Sequence, residues 1–180
     1  MKRSLMLGTG ALVAVMLTLG AGPAAAEPLE HVVFEEPFSD EIDCGDGLNV
    51  LMEGQDRVHF LLLERGPDGL LYGQANIAGA VSFTNPANGK SVTTTYHLLD
   101  KDLKVTDNGD GTYTIIVLNV GSQSLIGPDG RLLLLDAGQF LIELVLDVNG
   151  ELISGEVLRQ GGRWDTDGRD FCTDMHEFLG

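Results

Sequence analysis

The chain has little positive charge. Only 11 residues are Lys or Arg, against 27 that are Asp or Glu, and the formal net charge is −16 at pH 7. Such a surface repels phosphate backbones and anionic lipid headgroups, so the composition predicts neither a nucleic-acid partner nor a membrane-surface partner. The charged residues alternate with apolar ones, which excludes an acidic tail and argues against a disordered chain.

Cysteine is scarcer still, since Cys44 and Cys172 are the only two in the sequence. Two thiols are too few for a cysteine-rich metal site, and a catalytic thiol would leave the second cysteine without a role. In an oxidising compartment an isolated pair is best explained by one disulfide. We therefore predict a Cys44–Cys172 bridge that joins the start of the domain to its last segment.

Long hydrophobic runs are also rare, and the one that stands out lies at the beginning. Lys2 and Arg3 precede an apolar stretch over residues 5–19, and Ala24, Ala25 and Ala26 follow it. This stretch is too short and too rich in glycine to span a membrane, and the small residues fit a signal-peptidase site. We predict a secretory signal peptide over residues 1–26 and one secreted, extracellular domain over residues 27–180.

Helical periodicity is confined to the end of the chain, where Phe171, Met175 and Phe178 follow a capping Asp170 at helical spacing. Elsewhere, short runs of Val, Ile, Thr and aromatic residues alternate with glycine-containing turns. This pattern predicts an all-β, antiparallel barrel of eight to ten strands with a short C-terminal helix, and a β-sandwich is the alternative. The predicted strands cover residues 48–53, 57–65, 70–84, 91–99, 112–120, 122–126, 131–136, 139–147 and 151–159, with 100–106 as a further short strand.

Several of these strands are apolar on both faces, notably at residues 60–63, 132–135 and 140–142. A barrel strand has one face inside and the other in water, so a strand that is apolar on both faces needs a cover. The terminal helix, a long loop or a partner chain are the three candidates for that cover.

The common catalytic and cofactor motifs are incomplete. The stretch Asn88-Gly89-Lys90-Ser91 resembles the end of a phosphate-binding loop, but Thr84 stands where the motif requires glycine. Ser122 lacks the flanking glycines of a nucleophile elbow. The four histidines show no metal-ligand spacing. These absences predict no cofactor and favour a binding protein over an enzyme. The histidines are His31, His59, His97 and His176.

Candidate ligand-binding residues come from the alternation along the strand that begins at Ser91. His97 shares one face with Ser91, Thr93 and Thr95, and Tyr96 lies on the other face with Val92 and Leu98. If the first of these faces lines the barrel, His97 becomes part of a polar pocket wall. The candidates are His97, Tyr96, Tyr113 and Glu143.

An acidic loop near the end of the chain is the best candidate for calcium. Asp165, Asp167 and Asp170 alternate around Gly168, and calcium prefers several oxygen ligands at a sharp turn. Arg163 and Arg169 would compete as internal partners of the same carboxylates. A solvated loop that caps the helix is therefore favoured, and we predict no metal site.

The order of the turns and cysteines resembles a group of small, secreted, β-rich actinobacterial proteins of unknown function. The resemblance rests on Asp43-Cys44-Gly45, residues 65–69, 84–91 and 107–112, and Phe171-Cys172. It implies the barrel and the disulfide and no particular activity. At the level of the fold alone, the architecture is similar to lipocalin and allene-oxide-cyclase or dirigent-like barrels, but the lipocalin Gly-x-Trp signature is absent.

The sequence leaves three functions open. The first is a monomeric or weakly dimeric secreted protein that binds a small apolar molecule or a protein partner. The second is a barrel-type cyclase, isomerase or hydrolase with an interior polar pocket. The third is a secreted inhibitor or surface-interaction protein that presents one of the turns, either residues 66–69 or residues 85–90.

Overall fold

The structure is a computed structural model that describes residues 28–180, and the predicted signal peptide over residues 1–26 lies outside this range. The described residues form seven β-strands and one α-helix. In chain order these are β1 (Glu30–Asp43), β2 (Asn49–Arg65), β3 (Leu70–Thr84), β4 (Ser91–Asp107), β5 (Thr112–Ile126), β6 (Leu132–Asp147), β7 (Leu152–Trp164) and α1 (Phe171–Leu179).

All seven strands belong to one antiparallel sheet whose spatial order follows the sequence from β1 to β7. Each strand pairs with the next one in the chain, so every connection between strands is a hairpin. The all-β class, the antiparallel pairing and the C-terminal helix are thereby confirmed. Within residues 28–180 the sheet is not closed by pairing between β7 and β1.

The strand boundaries differ from the prediction because three glycines at the predicted breaks lie inside strands. Gly54 is paired within β2, Gly121 within β5 and Gly138 within β6. The described residues therefore contain seven long strands rather than eight to ten shorter ones. The sequence also gave no sign of β1, because six acidic residues and Pro37 hide its alternation of apolar side chains.

The register assigns every strand residue to one of two faces, because directly paired residues point to the same side of a sheet. Val50 of β2, Phe83 of β3, Val92 of β4 and Leu125 of β5 share the side on which α1 packs. We call this side the helix face and the other side the opposite face.

The helix α1 packs its apolar residues against one end of the helix face. Met175 and Leu179 are 2% and 0% exposed, and they join a core with Leu48, Val50 and Val92. Phe171 adds an edge-to-face contact with Phe83 at 5.2 Å between ring centroids. The predicted disulfide is confirmed, since Cys44 and Cys172 are bonded, and it attaches the first turn of α1 to the segment between β1 and β2.

Both ends of α1 are held by hydrogen bonds. Asp170 is the N-cap, and its carboxylate accepts from the backbone N–H of Thr173 at 3.0 Å. At the other end, the side-chain amides of Asn85 and Asn88 both donate to the carbonyl of Leu179, at 3.1 Å and 2.8 Å. The turn between β3 and β4 therefore caps the helix, which fixes α1 at this end of the sheet.

Glycine is concentrated on the helix face. Seven of the eight glycines within the strands lie there, and large side chains of neighbouring strands cover several of them. Phe38 lies over Gly54, Leu98 over Gly121 and Trp164 over Gly138. Glycine leaves space on the sheet for a large side chain of the neighbouring strand to lie flat against it. A Cβ at these positions would not fit. The seven are Gly54, Gly73, Gly79, Gly121, Gly138, Gly155 and Gly162.

Candidate functional site

Beyond α1, the helix face carries apolar side chains from several neighbouring strands. Adjacent register rows place these side chains side by side, and each of them is partly buried. The helix does not cover them, since α1 occupies only the end of the sheet near Val50 and Leu125. At the β7 side, the ring of Phe140 contacts Trp164 at 4.5 Å between centroids. We call these residues the apolar patch: Val58, Phe60, Ile77, Leu98, Val117, Phe140 and Ile142.

A tyrosine and a carboxylate lie between the apolar patch and the helix. The hydroxyl of Tyr96 on β4 donates to the carboxylate of Asp56 on β2 across Gly79 of β3. Gly79 makes this contact possible, because a Cβ there would lie 2.5 Å from both side-chain oxygens. Burial raises the pKa of Tyr96, and the adjacent Asp56 carboxylate raises it further. Tyr96 therefore holds its proton and serves as a hydrogen-bond donor.

Two further carboxylates, Asp100 and Asp102, lie within the apolar patch, two residues apart on the same face of β4. Asp100 accepts a hydrogen bond from the side-chain amide of Asn119, and Asp102 accepts one from the backbone N–H of Gly73 at 2.6 Å. Burial raises the pKa of both groups, and the hydrogen bonds oppose the rise. Carboxyl groups of this kind can give or take a proton closer to neutral pH than exposed ones.

The four predicted ligand-binding residues do not form one cluster. Tyr96 and Tyr113 lie on the helix face, and His97 and Glu143 lie on the opposite face. Neighbours in a strand point to opposite sides, so Tyr96 and His97 cannot line the same pocket of a single sheet. Of the four, Tyr96 alone lies next to the apolar patch in a polar contact, its hydrogen bond to Asp56. His97 lines a separate depression on the opposite face.

The acidic loop uses two of its three predicted carboxylates, Asp165 and Asp170, in internal contacts. Asp165 pairs with Arg163 at 2.5 Å and accepts from the backbone N–H of Leu135 at 3.0 Å, while Asp170 caps α1. The contact with Arg163 confirms one half of the predicted competition. The other half is wrong, because Arg169 pairs with Asp174 and Glu177 of α1 instead. Among residues 28–180, no group of three or more His, Cys, Asp or Glu side chains is arranged to hold a metal ion.

Sequence reasoning missed three carboxylates that lie at the apolar patch on the helix face, namely Asp56, Asp100 and Asp102. Their signal was present in β4, because Tyr96, Leu98, Asp100 and Asp102 continue one alternating series. We ended that strand at Leu99 and took the charged residues after it as a separate segment. The long β4 removes the break and places both carboxylates beside Leu98.

In comparisons with known proteins, no family model, no curated protein and no solved structure matches the chain. Within the described range, no helix is long and apolar enough to cross a membrane.

The raised pKa of Asp102 predicts how its removal changes stability with pH. If folding raises the pKa of a carboxyl group, the folded state is less stable with the group ionised than with it protonated. We therefore expect Asp102→Asn, which keeps an acceptor for Gly73, to increase the free energy of unfolding at pH 7. The gain should vanish as the pH falls and wild-type Asp102 becomes protonated.

Urea unfolding at pH 7 and pH 4, followed by circular dichroism, measures this effect. The control is Asp40→Asn on β1, an exposed aspartate of the same face, which should show no such gain. A lower stability of Asp102→Asn at pH 7 would mean that the ionised carboxylate stabilises the sheet.

Proposed function

We propose that this protein is a secreted binding protein and that a small apolar molecule occupies the apolar patch of the helix face. The observation that carries the proposal is the uncovered position of this patch. Only eight apolar residues of the described chain are buried, and most of them cluster where α1 meets the sheet. A ligand that covers the patch would remove further apolar surface from water, at about 25 cal/mol per Å².

Polar groups at the patch favour the interpretation that it is a ligand-binding site, because a purely apolar surface could not orient a ligand. Small-molecule sites combine many apolar contacts with a few polar groups that orient the ligand. Asp100 with Asn119, and Tyr96 with Asp56, supply such groups next to Leu98. A mainly apolar molecule with one or two hydrogen-bonding groups fits this arrangement.

The proposal includes closure of the sheet into a barrel around the ligand. Two features favour it: the strands follow one another in space, and their glycines lie on the helix face, where missing side chains let a sheet curl. The two edges are also complementary in charge. β1 carries six acidic residues, and β7 carries Arg159 and Arg163 with a single acidic residue.

Export from the cell is part of the same proposal. The Cys44–Cys172 disulfide fits an oxidising compartment, and the apolar run over residues 5–19 fits a secretory leader. The acidic composition keeps such a protein soluble.

Acid–base catalysis is the second candidate, and the carboxyl pair favours it. Asp100 and Asp102 have raised pKa values among apolar side chains, as a general acid of an isomerase or cyclase requires. An enzyme of this kind would bind its substrate on the same apolar patch, so the binding experiment comes first.

Leu98 and Leu99 provide a matched pair of variants, because they are neighbours on β4 that lie on different faces. We expect the wild-type protein to bind the neutral apolar fluorophore N-phenyl-1-naphthylamine saturably. Leu98→Gln should weaken this binding about 10-fold, since losing the contacts of one leucine costs roughly 1.5 kcal/mol. Leu99→Gln should stay within about twofold of wild type.

The titration is followed by probe fluorescence, and circular dichroism checks that both variants are folded. A larger effect of Leu99→Gln would place the probe on the opposite face. Equal weakening by the two substitutions would show that the probe does not bind specifically to the helix face. A wild-type protein that shows no saturable binding would contradict the proposal altogether.

A further inference from the structure

The opposite face carries a polar depression that the proposed function does not use. Its volume is about 320 Å³, and it is lined by side chains of β2, β3 and β4. Arg57 and His97 lie on the two sides of Ala78, since both are paired with it in register. His59 and Asn76 form the next row. The small side chain of Ala78 leaves the floor of the depression open between the longer polar ones.

The polar side chains around this floor have free hydrogen-bonding capacity. Within residues 28–180, the structure shows no side-chain hydrogen bond to Arg57, His59, Asn76 or His97. Arg57 has one loose ionic contact, a 3.9 Å separation from Glu35, and both side chains are more than half exposed. An arginine can donate five N–H groups, and an imidazole and an amide add further donors.

The charge of the depression contrasts with that of the molecule. The chain carries a net charge of −16, yet Arg57 and two imidazoles converge here. The register places two other charged groups of this face near the depression. Glu35 of β1 pairs with Arg57, and Lys101 of β4 lies two positions beyond Leu99 on the same face. Ser122 of β5, which pairs with His97, is neutral.

We propose that this depression binds an oxyanion, a carboxylate or phosphate-type group held between Arg57 and His97 above Ala78. Arginine binds planar and tetrahedral oxyanions through paired N–H donors, and charge-assisted hydrogen bonds of this kind are the stronger ones. His59 and Asn76 complete the donor set on the second row. The site is separate from the apolar patch, since it lies on the other side of the sheet.

Inorganic sulfate is the probe that tests the site, because its charge stays constant between pH 5 and pH 8. Sulfate is titrated into the secreted protein, and the ring signals of the four histidines are followed by NMR. We expect saturable shifts of His59 and His97, while His176, which lies on α1, stays unchanged.

Three variants separate the site from general attraction by positive charge. Arg57→Gln should weaken sulfate binding at least 10-fold. Arg159→Gln, which removes one positive charge from the same face of β7, should change it less than twofold. Glu35→Gln should strengthen it severalfold, because the competing carboxylate is removed.

The outcomes that overturn the proposal are equally definite. Equal losses in Arg57→Gln and Arg159→Gln would show diffuse charge attraction. Unsaturable shifts, or shifts that include His176 to the same extent, would show that the depression binds no oxyanion.

Discussion

Replacing Cys44 and Cys172 by serine is expected to lower the free energy of unfolding by about 5 kcal/mol, on the chain-entropy model of a disulfide. The two cysteines are 128 residues apart in sequence, so the bridge restricts most of the described chain in the unfolded state. It also holds α1 beside the segment between β1 and β2. Because stabilities of 5–15 kcal/mol are typical of domains, we expect the variant to be at most marginally folded.

The single variants supply the control for this prediction. Cys44→Ser and Cys172→Ser should each lose as much stability as the double variant, because the bridge is absent from all three. Urea unfolding followed by circular dichroism measures the loss. A loss below about 1 kcal/mol in the double variant would contradict this prediction. It would mean that the packing of α1 holds the fold together almost as well without the bridge.

Shortening Leu179 to alanine is the substitution with the next largest expected effect. Leu179 is completely buried between α1 and the sheet, in contact with the core around Val50 and Val92. Buried Leu→Ala substitutions cost about 2–5 kcal/mol, from lost apolar contacts and the cavity that remains. We expect about 3 kcal/mol for Leu179→Ala, measured by urea unfolding of the oxidised protein.

Leu152→Ala is the matched control, because Leu152 begins β7 and is 61% exposed. It should change the free energy of unfolding by less than about 0.5 kcal/mol. Similar losses of unfolding free energy in the two variants would mean that the contacts of α1 with the sheet do not form the core of the protein.

The local features of the fold were predictable because each depends on a few adjacent residues. The turn at Gly66–Gly69 and the hairpin turn at Asp147–Gly150 followed from glycine, proline, asparagine and aspartate at short spacing. The cap at Asp170 and the disulfide followed from equally local or compositional signals.

The strand boundaries were less predictable because glycine has two roles in this sheet. In the turns it adopts positive φ, as Gly66 and Gly150 do. In the strands it makes room for a neighbour, as Gly121 does for Leu98 and Gly54 for Phe38. Sequence alone does not separate the two roles, since the second depends on which strand lies alongside.

The candidate site was predicted only in part for a related reason. Tyr96 was named from its strand, but Asp56 comes from β2, and only the pairing through Gly79 brings the two together. Asp102 depends likewise on Gly73 of the neighbouring strand. Contacts between side chains far apart in sequence require the register, which the sequence pattern does not specify.

Native mass spectrometry of the purified, oxidised protein tests the central claim most directly. That claim is our proposal that the helix face holds a small apolar molecule. We expect the mass of one disulfide-bonded chain with one non-covalent organic molecule that denaturation releases. Leu98→Gln should lose most of this molecule, and Leu99→Gln should retain it. A wild-type protein that carries no small molecule, or that is found only as an assembly of several chains, would contradict the account.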